Sequence, residues 1–152
     1  MKNNIFEEKT VNQLVNRINQ LSHETTPEWG KMSVGQMLAH CNVAYEMAYE
    51  NTHKRPNALA RFFLTAFVKP MVVKGKPYKK NGRTAPQFLM TTEKDFSNEK
   101  QRLFDFLAKT KDLGETYFEQ KESHSFGKMT SEEWSNSFYY HLDHHLTQFG
   151  AK

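Results

Sequence analysis

The sequence contains a single cysteine, Cys41, among its 152 residues. One thiol cannot close a disulfide within the chain, and it excludes the structural zinc sites that several cysteines build. The first residues, MKNNIFEEKTVNQ, include no apolar stretch of the kind that marks a secretory signal, so none is expected. These absences favour a cytoplasmic protein that folds without disulfides.

Long hydrophobic runs are also missing, and no apolar run approaches the ~20 residues that a membrane-spanning helix needs. Hydrophobic residues make up 38% of the chain and charged residues 25%, which is typical of globular proteins and not of disordered ones. A domain of this length buries roughly 70% of the surface that its unfolded chain exposes. We therefore expect one globular domain over residues 1–152.

Acidic residues are absent between Glu50 and Glu93, although this stretch holds nine of the 21 basic residues. The other twelve basic residues are outnumbered by the 17 acidic ones. The positive charge is therefore local, which argues against nucleic-acid binding across the whole protein, and no nucleic-acid partner is expected.

Apolar residues recur at helical spacing and predict four long helices. Capping boxes at Ser33 and Thr130 mark the starts of the second and the last, and Gly150 is a stop signal for the last. No segment alternates apolar and polar residues over the length of a β-strand, and residues 115–122 are too few to distinguish a strand from another structure. The expected helices cover about residues 6–22, 33–51, 93–109 and 130–148. The pattern predicts an all-α fold, a four-helix bundle.

Between the second and third long helices the sequence predicts an insertion over about residues 54–91. Residues 57–73 form a short apolar helix that Pro70 is expected to end, and a basic loop rich in glycine and proline follows. An interfacial helix would carry more basic residues than Arg61 and Lys69, so burial against the bundle is favoured and no membrane contact is expected. The loop segment KGKPYKKNGR leaves three interpretations open: a solvated loop, a collar for an anionic substrate or thiol, or a contact with nucleic acid or an anionic membrane.

Histidine carries the strongest chemical signal. His141 and His145 are one helical turn apart, with Cβ atoms about 5–6 Å from each other, and both fall on the apolar arc of the last helix. His40 lies at the edge of the apolar stripe of the second helix. Imidazole nitrogens placed in this way can converge on one metal ion. Burying three imidazoles without partners would be costly, which favours a shared ion, although a hydrogen-bonded polar core remains the alternative.

Neighbouring residues are interpreted differently. His144 lies off the inward arc and Asp143 lies opposite it, so both are expected to face solvent. Cys41 points away from His40 and is expected to be a small core residue. His124 is expected to order its loop, with a place over the site mouth as the alternative. Two amides, Gln36 and Gln148, lie on the correct sides to orient the imidazoles, and no inward carboxylate is evident as a general base.

The motifs PEWGKMSVGQMLAHC at residues 27–41 and YYHLDHHLTQFG at 139–150 resemble those of the DinB/YfiT-like superfamily. Residues 124–150 most resemble a small, largely uncharacterised bacterial branch of it. Members have one histidine about seven residues after the capping serine of the second helix and an H-x-x-x-H pair on the last helix. The matching positions here are His40, His141 and His145.

The resemblance implies a four-helix bundle that holds a divalent metal through these three histidines. Imidazole ligands suit zinc, nickel, copper and iron alike, and zinc or nickel is the expected ion. The resemblance also implies a small-molecule substrate and transferase or hydrolase chemistry, with water or a low-molecular-weight thiol activated at the metal. A homodimer is left open. The alternatives are a non-catalytic bundle that binds a small ligand or has an empty site, and a surface-binding module that uses the basic residues 54–83.

Overall fold

The computed structural model describes residues 3–152, and they are mostly helical. The α-helices are α1 (Glu8–Asn19), α2 (Val34–Tyr49), α3 (Ala58–Phe63), α4 (Lys69–Val73), α5 (Phe96–Phe118) and α6 (Ser131–Gln148). A π-helical turn, Leu64–Val68, joins α3 to α4, and a 3₁₀ turn, Pro86–Phe88, precedes α5. Strands β1 (Lys121–Ser123) and β2 (Gly127–Met129) pair in antiparallel fashion. The prediction of an all-α chain is confirmed at this level.

Both predicted capping boxes are present. The Ser33 hydroxyl accepts a hydrogen bond from the Gln36 amide at the start of α2, and the Gln36 side chain accepts one from the Ser33 amide in return. Thr130 and Glu133 form the same reciprocal pair at the start of α6. Each box satisfies two backbone donors that the first helical turn would otherwise leave free. Local chemistry therefore determines where the two histidine-bearing helices begin.

The four long helices pack around one apolar core. Helix α2 packs against α5 and α6, and α1 packs against the same two helices. Side chains from all four are fully buried in it: Leu14, Ile18, Met37, Leu38, Tyr45, Leu103, Leu107, Phe118, Phe138 and Leu142. Burying one such side chain contributes ~1.5–3 kcal/mol, so this core fixes the distance between α2 and α6, on which the histidines lie.

Helix α5 is longer than predicted, and the hairpin after it was not predicted. The helical segment continues past residue 109 to Phe118, although Gly114 interrupts it with a positive φ of 69°. Glycine adopts that conformation without the steric cost of a Cβ, so the chain resumes helical geometry beyond it. The strands of the hairpin have three residues each, too few for alternation to be visible in the sequence.

The helical insertion departs from prediction in two ways. Pro70 does not end the helix, which continues to Val73. A π turn precedes it, in which the Lys69 amide donates to the Leu64 carbonyl. This wider turn replaces the regular α-helical hydrogen bonds, with which the proline ring would clash.

The predicted burial of this helix is wrong. Leu59, Phe62 and Phe67 are 65–67% exposed, because Arg61 and Lys69 occupy the side facing the protein and pair there with acidic residues. Within residues 3–152, no helix has the length and apolar character needed to cross a bilayer.

Candidate metal centre

Three imidazoles meet between α2 and α6. One ring nitrogen each of His40, His141 and His145 lies within 4.8 Å of the other two. The ring centroids are 4.4–5.0 Å apart. His40 and His145 are buried, whereas His141 keeps a partly exposed surface. The sequence prediction that these side chains point inward from their helices agrees with this arrangement.

The tautomer of His40 is set by a backbone carbonyl. Its Nδ1 lies 2.8 Å from the carbonyl oxygen of Phe88, in the 3₁₀ turn that closes the insertion. A carbonyl can only accept, so Nδ1 carries the proton and donates it. The Nε2 atom of neutral His40 is therefore unprotonated and presents its lone pair to the other two rings. The Phe88 ring also packs near the imidazole, with centroids 5.1 Å apart.

The tautomer of His145 is set through an amide. Gln148 Nε2 donates to the carbonyl of Trp29 over 2.7 Å, which orients the amide so that its Oε1 faces His145 Nδ1 at 2.8 Å. Because that oxygen can only accept, His145 Nδ1 carries the proton. Its Nε2 has no hydrogen-bond partner within residues 3–152. This arrangement leaves a second unprotonated imidazole nitrogen at the centre of the group.

His141 completes the group from one turn away on α6. Its Nε2 lies 3.0 Å from Nε2 of His40. Since the His40 atom can only accept, His141 satisfies the contact by donating from Nε2, or by turning its own lone pair toward a shared cation. Its other nitrogen has no hydrogen-bond partner in the described part of the chain, so no neighbour locks its tautomer. His141 is thus the histidine whose Nε2 can lose a proton and bind a cation instead, and it is the partly exposed member of the group.

Burial keeps all three imidazoles neutral. Desolvation lowers the pKa of His40, and it lowers the pKa of His141 well below its ordinary value, with the neighbouring histidines adding to the effect. Desolvation likewise lowers the pKa of His145 to about 3. Metal ligation requires the neutral form of histidine, so the protein environment prepares the ligand state without any charged partner.

The donor set fits a divalent metal ion. Zinc–nitrogen bonds are about 2.0–2.1 Å, so nitrogens that share one ion stand about 3–4 Å apart. The distance of 3.0 Å between the Nε2 atoms of His40 and His141 is close to this value, and a ring nitrogen of His145 lies within 4.8 Å of the other two. Two of the three side chains also show the hydrogen bond from the second ring nitrogen that accompanies metal-ligating histidines. The group contains only imidazoles, and among the described residues no carboxylate or thiolate joins it. These three residues could therefore hold a metal ion.

The residues beside the group are less exposed than predicted. His144 does not join it but packs near Trp29 and Tyr78, at centroid distances of 5.8 and 5.9 Å. Asp143 pairs with Arg17 over 2.7 Å. Both side chains were expected to face solvent. They are half-buried instead, because α1 and the insertion cover the outer side of α6.

The remaining candidates have structural roles. Cys41 is buried, its thiol donates to Met37 Sδ, and burial raises its pKa, as expected of a core residue. His124 lies in the hairpin turn, where its ring contacts the His53 carbonyl. Of the two amides, only Gln148 reaches a histidine, because Gln36 is used in the cap of α2.

Two contributors to the site were not predicted. The sequence could not indicate the Phe88 carbonyl, because the backbone of every residue carries the same acceptor. Tyr78 lies near His141, with ring centroids 6.2 Å apart, and its hydroxyl donates to the Val72 carbonyl over 3.3 Å. Both belong to the insertion, which the family motifs do not cover. The insertion therefore forms one wall of the histidine group.

Comparison with known proteins identifies a family whose activity is unknown. The family described as "Protein of unknown function (DUF1569)" matches residues 5–152, a range that includes all three histidines. No curated protein and no solved structure matches the chain. Any functional conclusion must therefore come from the geometry and chemistry of the site.

Proposed function

The chain belongs to the DUF1569 family, whose function is unknown, and we propose that it is a metal-dependent enzyme whose divalent ion is held by His40, His141 and His145. The observation that carries this proposal is the pair of fixed tautomers. Phe88 and Gln148 each hold a histidine with its Nε2 unprotonated, and the two side chains belong to a group whose ring nitrogens lie within 4.8 Å of one another. A hydrogen-bonded polar core would use the His40 lone pair to accept from His141, but it would leave the Nε2 of His145 without a partner among the described residues.

Three neutral ligands are typical of a catalytic site that keeps a coordination position open. A divalent ion bound there supplies Lewis-acid chemistry and lowers the pKa of a water or thiol that it binds. The partly exposed side at His141 provides the approach for a small-molecule substrate. Imidazole suits several metals, and zinc or nickel is the identity we propose.

The resemblance to the DinB/YfiT-like superfamily supports the same conclusion at a finer level. The positions of His40, His141 and His145 match the histidine pattern of that superfamily, and the four long helices with one shared core suit its bundle fold. We propose on this basis a transferase or hydrolase that uses a low-molecular-weight thiol or water. The one core cluster, from Ile5 to Ala151, supports a single domain, and we propose a cytoplasmic location.

The protein's own residues have positioning roles in this proposal. His40 and His145 are held in one tautomer by their hydrogen bonds, and His141 is free to change its protonated nitrogen. The Tyr78 hydroxyl donates to a carbonyl, and burial raises its pKa, so it stays protonated and does not act as a base. A proton released at the site therefore leaves through solvent or the substrate.

Elemental analysis of the protein purified without a histidine tag tests the proposal. We expect about one equivalent of metal per chain, and loss of most of it in His40→Ala, His141→Ala and His145→Ala. The matched control is His144→Ala on the same helix, which should keep the metal because His144 lies outside the group.

A protein that takes up no zinc, nickel, iron or manganese after incubation would instead be a non-catalytic bundle with a hydrogen-bonded polar core. Equal loss of metal in His144→Ala would contradict the assignment of the ligands.

A further inference from the structure

The helical segment 58–73, comprising α3, the π turn and α4, has an apolar outer face. Its large exposed side chains are Leu59, Phe62, Phe63, Phe67 and Met71, each 50–67% exposed. Thr65 is the one exposed polar side chain of this segment. Contiguous apolar surface of this kind is rare on isolated soluble proteins and marks a face that another body covers.

The polarity of this helix is inverted relative to an ordinary surface helix. Its two charged residues, Arg61 and Lys69, face the protein, where Arg61 pairs with Glu122 and Lys69 with Glu133 over 2.9 Å. A surface helix normally buries its apolar stripe and exposes its charges. Here the ion pairs attach the helix to the hairpin and to α6, and they hold the phenylalanines outward. Chance exposure of a single residue cannot explain this arrangement.

The outer face is flanked by positive charge at both ends. Lys54 and Arg55 precede the helix and Lys74 and Lys76 follow it, all exposed and none in an ion pair with a described residue. No acidic residue lies anywhere between Glu50 and Glu93. A second copy of the chain on this face would bring two such cationic segments together. The charge therefore favours an anionic partner with an apolar interior.

An anionic lipid bilayer has both properties at its surface. Apolar side chains enter the boundary between headgroups and acyl chains, and lysines and arginines beside them contact the phosphates. We propose that residues 58–73 bind the surface of an anionic membrane, with the helix lying parallel to it. The expectation of no membrane contact rested on the small number of basic residues within this helix and on its burial against the bundle. The structure contradicts the burial, and the exposed basic residues on both sides of the helix supply the positive charge.

The proposed contact surface lies beside the first half of α6. Helix α4 packs against the first half of α6, where Glu133 contacts Lys69 and the Asn136 side chain donates to the Val73 carbonyl over 3.0 Å. The metal-binding histidines His141 and His145 lie further along α6. Membrane binding at segment 58–73 therefore uses side chains other than the three histidines.

Co-sedimentation with vesicles tests the proposal on the full-length protein. We expect binding to vesicles of phosphatidylcholine with roughly one-third phosphatidylglycerol, and little binding to phosphatidylcholine alone. Phe62→Ser combined with Phe67→Ser should weaken binding roughly tenfold or more, because two inserted rings are lost. Lys74→Gln combined with Lys76→Gln should weaken it several-fold. Raising the salt concentration from about 0.1 M to about 0.5 M should also weaken it.

Matched controls are an exposed aromatic residue and two lysines elsewhere. The aromatic control is Tyr117→Ser on α5. The lysine control combines Lys9→Gln on α1 with Lys109→Gln on α5. Both controls should leave vesicle binding unchanged. Circular dichroism checks that each variant is folded, which the exposure of the replaced side chains favours.

Four results would overturn the proposal. The first is absence of binding to anionic vesicles, and the second is binding that survives the phenylalanine substitutions. The third is a dimer, detected by light scattering, that the same substitutions dissociate, which would assign the face to a second copy. The fourth is binding of RNA or duplex DNA without binding of vesicles, which would assign the lysines to nucleic acid.

Discussion

Gln148 links the histidine group to the chain segment before α2. Its amide bridges the Trp29 carbonyl and His145 Nδ1 over two short hydrogen bonds, and its side chain is buried. The glutamine therefore keeps the imidazole in one tautomer and one orientation, a function that a carboxylate more often performs.

Gln148→Leu tests this role. Leucine has a similar volume but neither donates nor accepts, so His145 loses its orienting partner, and we expect metal affinity to fall ~10–100-fold. Isothermal titration with zinc measures the change. Gln36→Leu, an amide used in a helix cap instead, is the control and should change affinity less than about twofold while lowering helix stability. An equal loss of affinity in both variants would show that the Gln148 contact does not matter.

At the scale of elements, α2 is placed by a close approach of backbone to backbone. A Cβ on Gly35, in the first turn of the helix, would overlap the carbonyl oxygen of Lys94 just before α5. Glycine is needed there because the two segments touch without room for a side chain. This contact brings the start of α2 against the start of α5, five residues before His40.

Gly35→Ala is expected to destabilise the protein. Alanine gains ~1 kcal/mol of helix propensity over glycine, but overpacking typically costs ~1–3 kcal/mol, and the backbone atoms here have little freedom to move. The two effects leave a net loss of up to about 2 kcal/mol in the free energy of unfolding, measured by urea denaturation. Gly82→Ala, in the open basic loop, should change it by less than ~0.5 kcal/mol. Stabilisation of the protein by Gly35→Ala would contradict the close contact.

At the scale of the whole molecule, the buried imidazoles couple unfolding to pH. An unfolded histidine titrates near pH ~6.5, whereas desolvation lowers the folded-state pKa of His40, His141 and His145. Below pH ~6.5 the unfolded chain therefore binds more protons than the folded one. The stability that these neutral side chains provide is present above that pH and is lost as pH falls toward the folded-state values.

The metal-free protein, prepared with a chelator, should lose stability steeply between pH 7.5 and pH 5. Each lowered histidine contributes up to ~1.4 kcal/mol per pH unit in that window, so the urea midpoint should fall clearly. His141→Leu should reduce this slope by one histidine's share, and His23→Ala, on the surface, should leave it unchanged. A flat profile in the native sequence would show that the three imidazoles are not desolvated.

Local features of the sequence were sufficient for much of the architecture. Helical periodicity and two capping boxes predicted the starts of α2 and α6, because these signals act within three or four residues. The spacing of His141 and His145 placed them on one side of α6 for the same reason. The place of His40 at the edge of the apolar stripe of the second helix added the third candidate, and the family resemblance agreed with all three. The candidate metal ligands could therefore be named before any tertiary contact was known.

Only the tertiary structure decided which residues orient the three histidines and which apolar surface remains exposed. The carbonyl of Phe88 orients His40 across 48 residues of sequence, and a backbone oxygen has no residue identity by which a pattern could predict it. The outward face of segment 58–73 depends on ion pairs with Glu122 and Glu133, which are distant in the chain. Apolar periodicity shows that a helix has an apolar side but not what covers it, because burial is a property of the elements that pack around it.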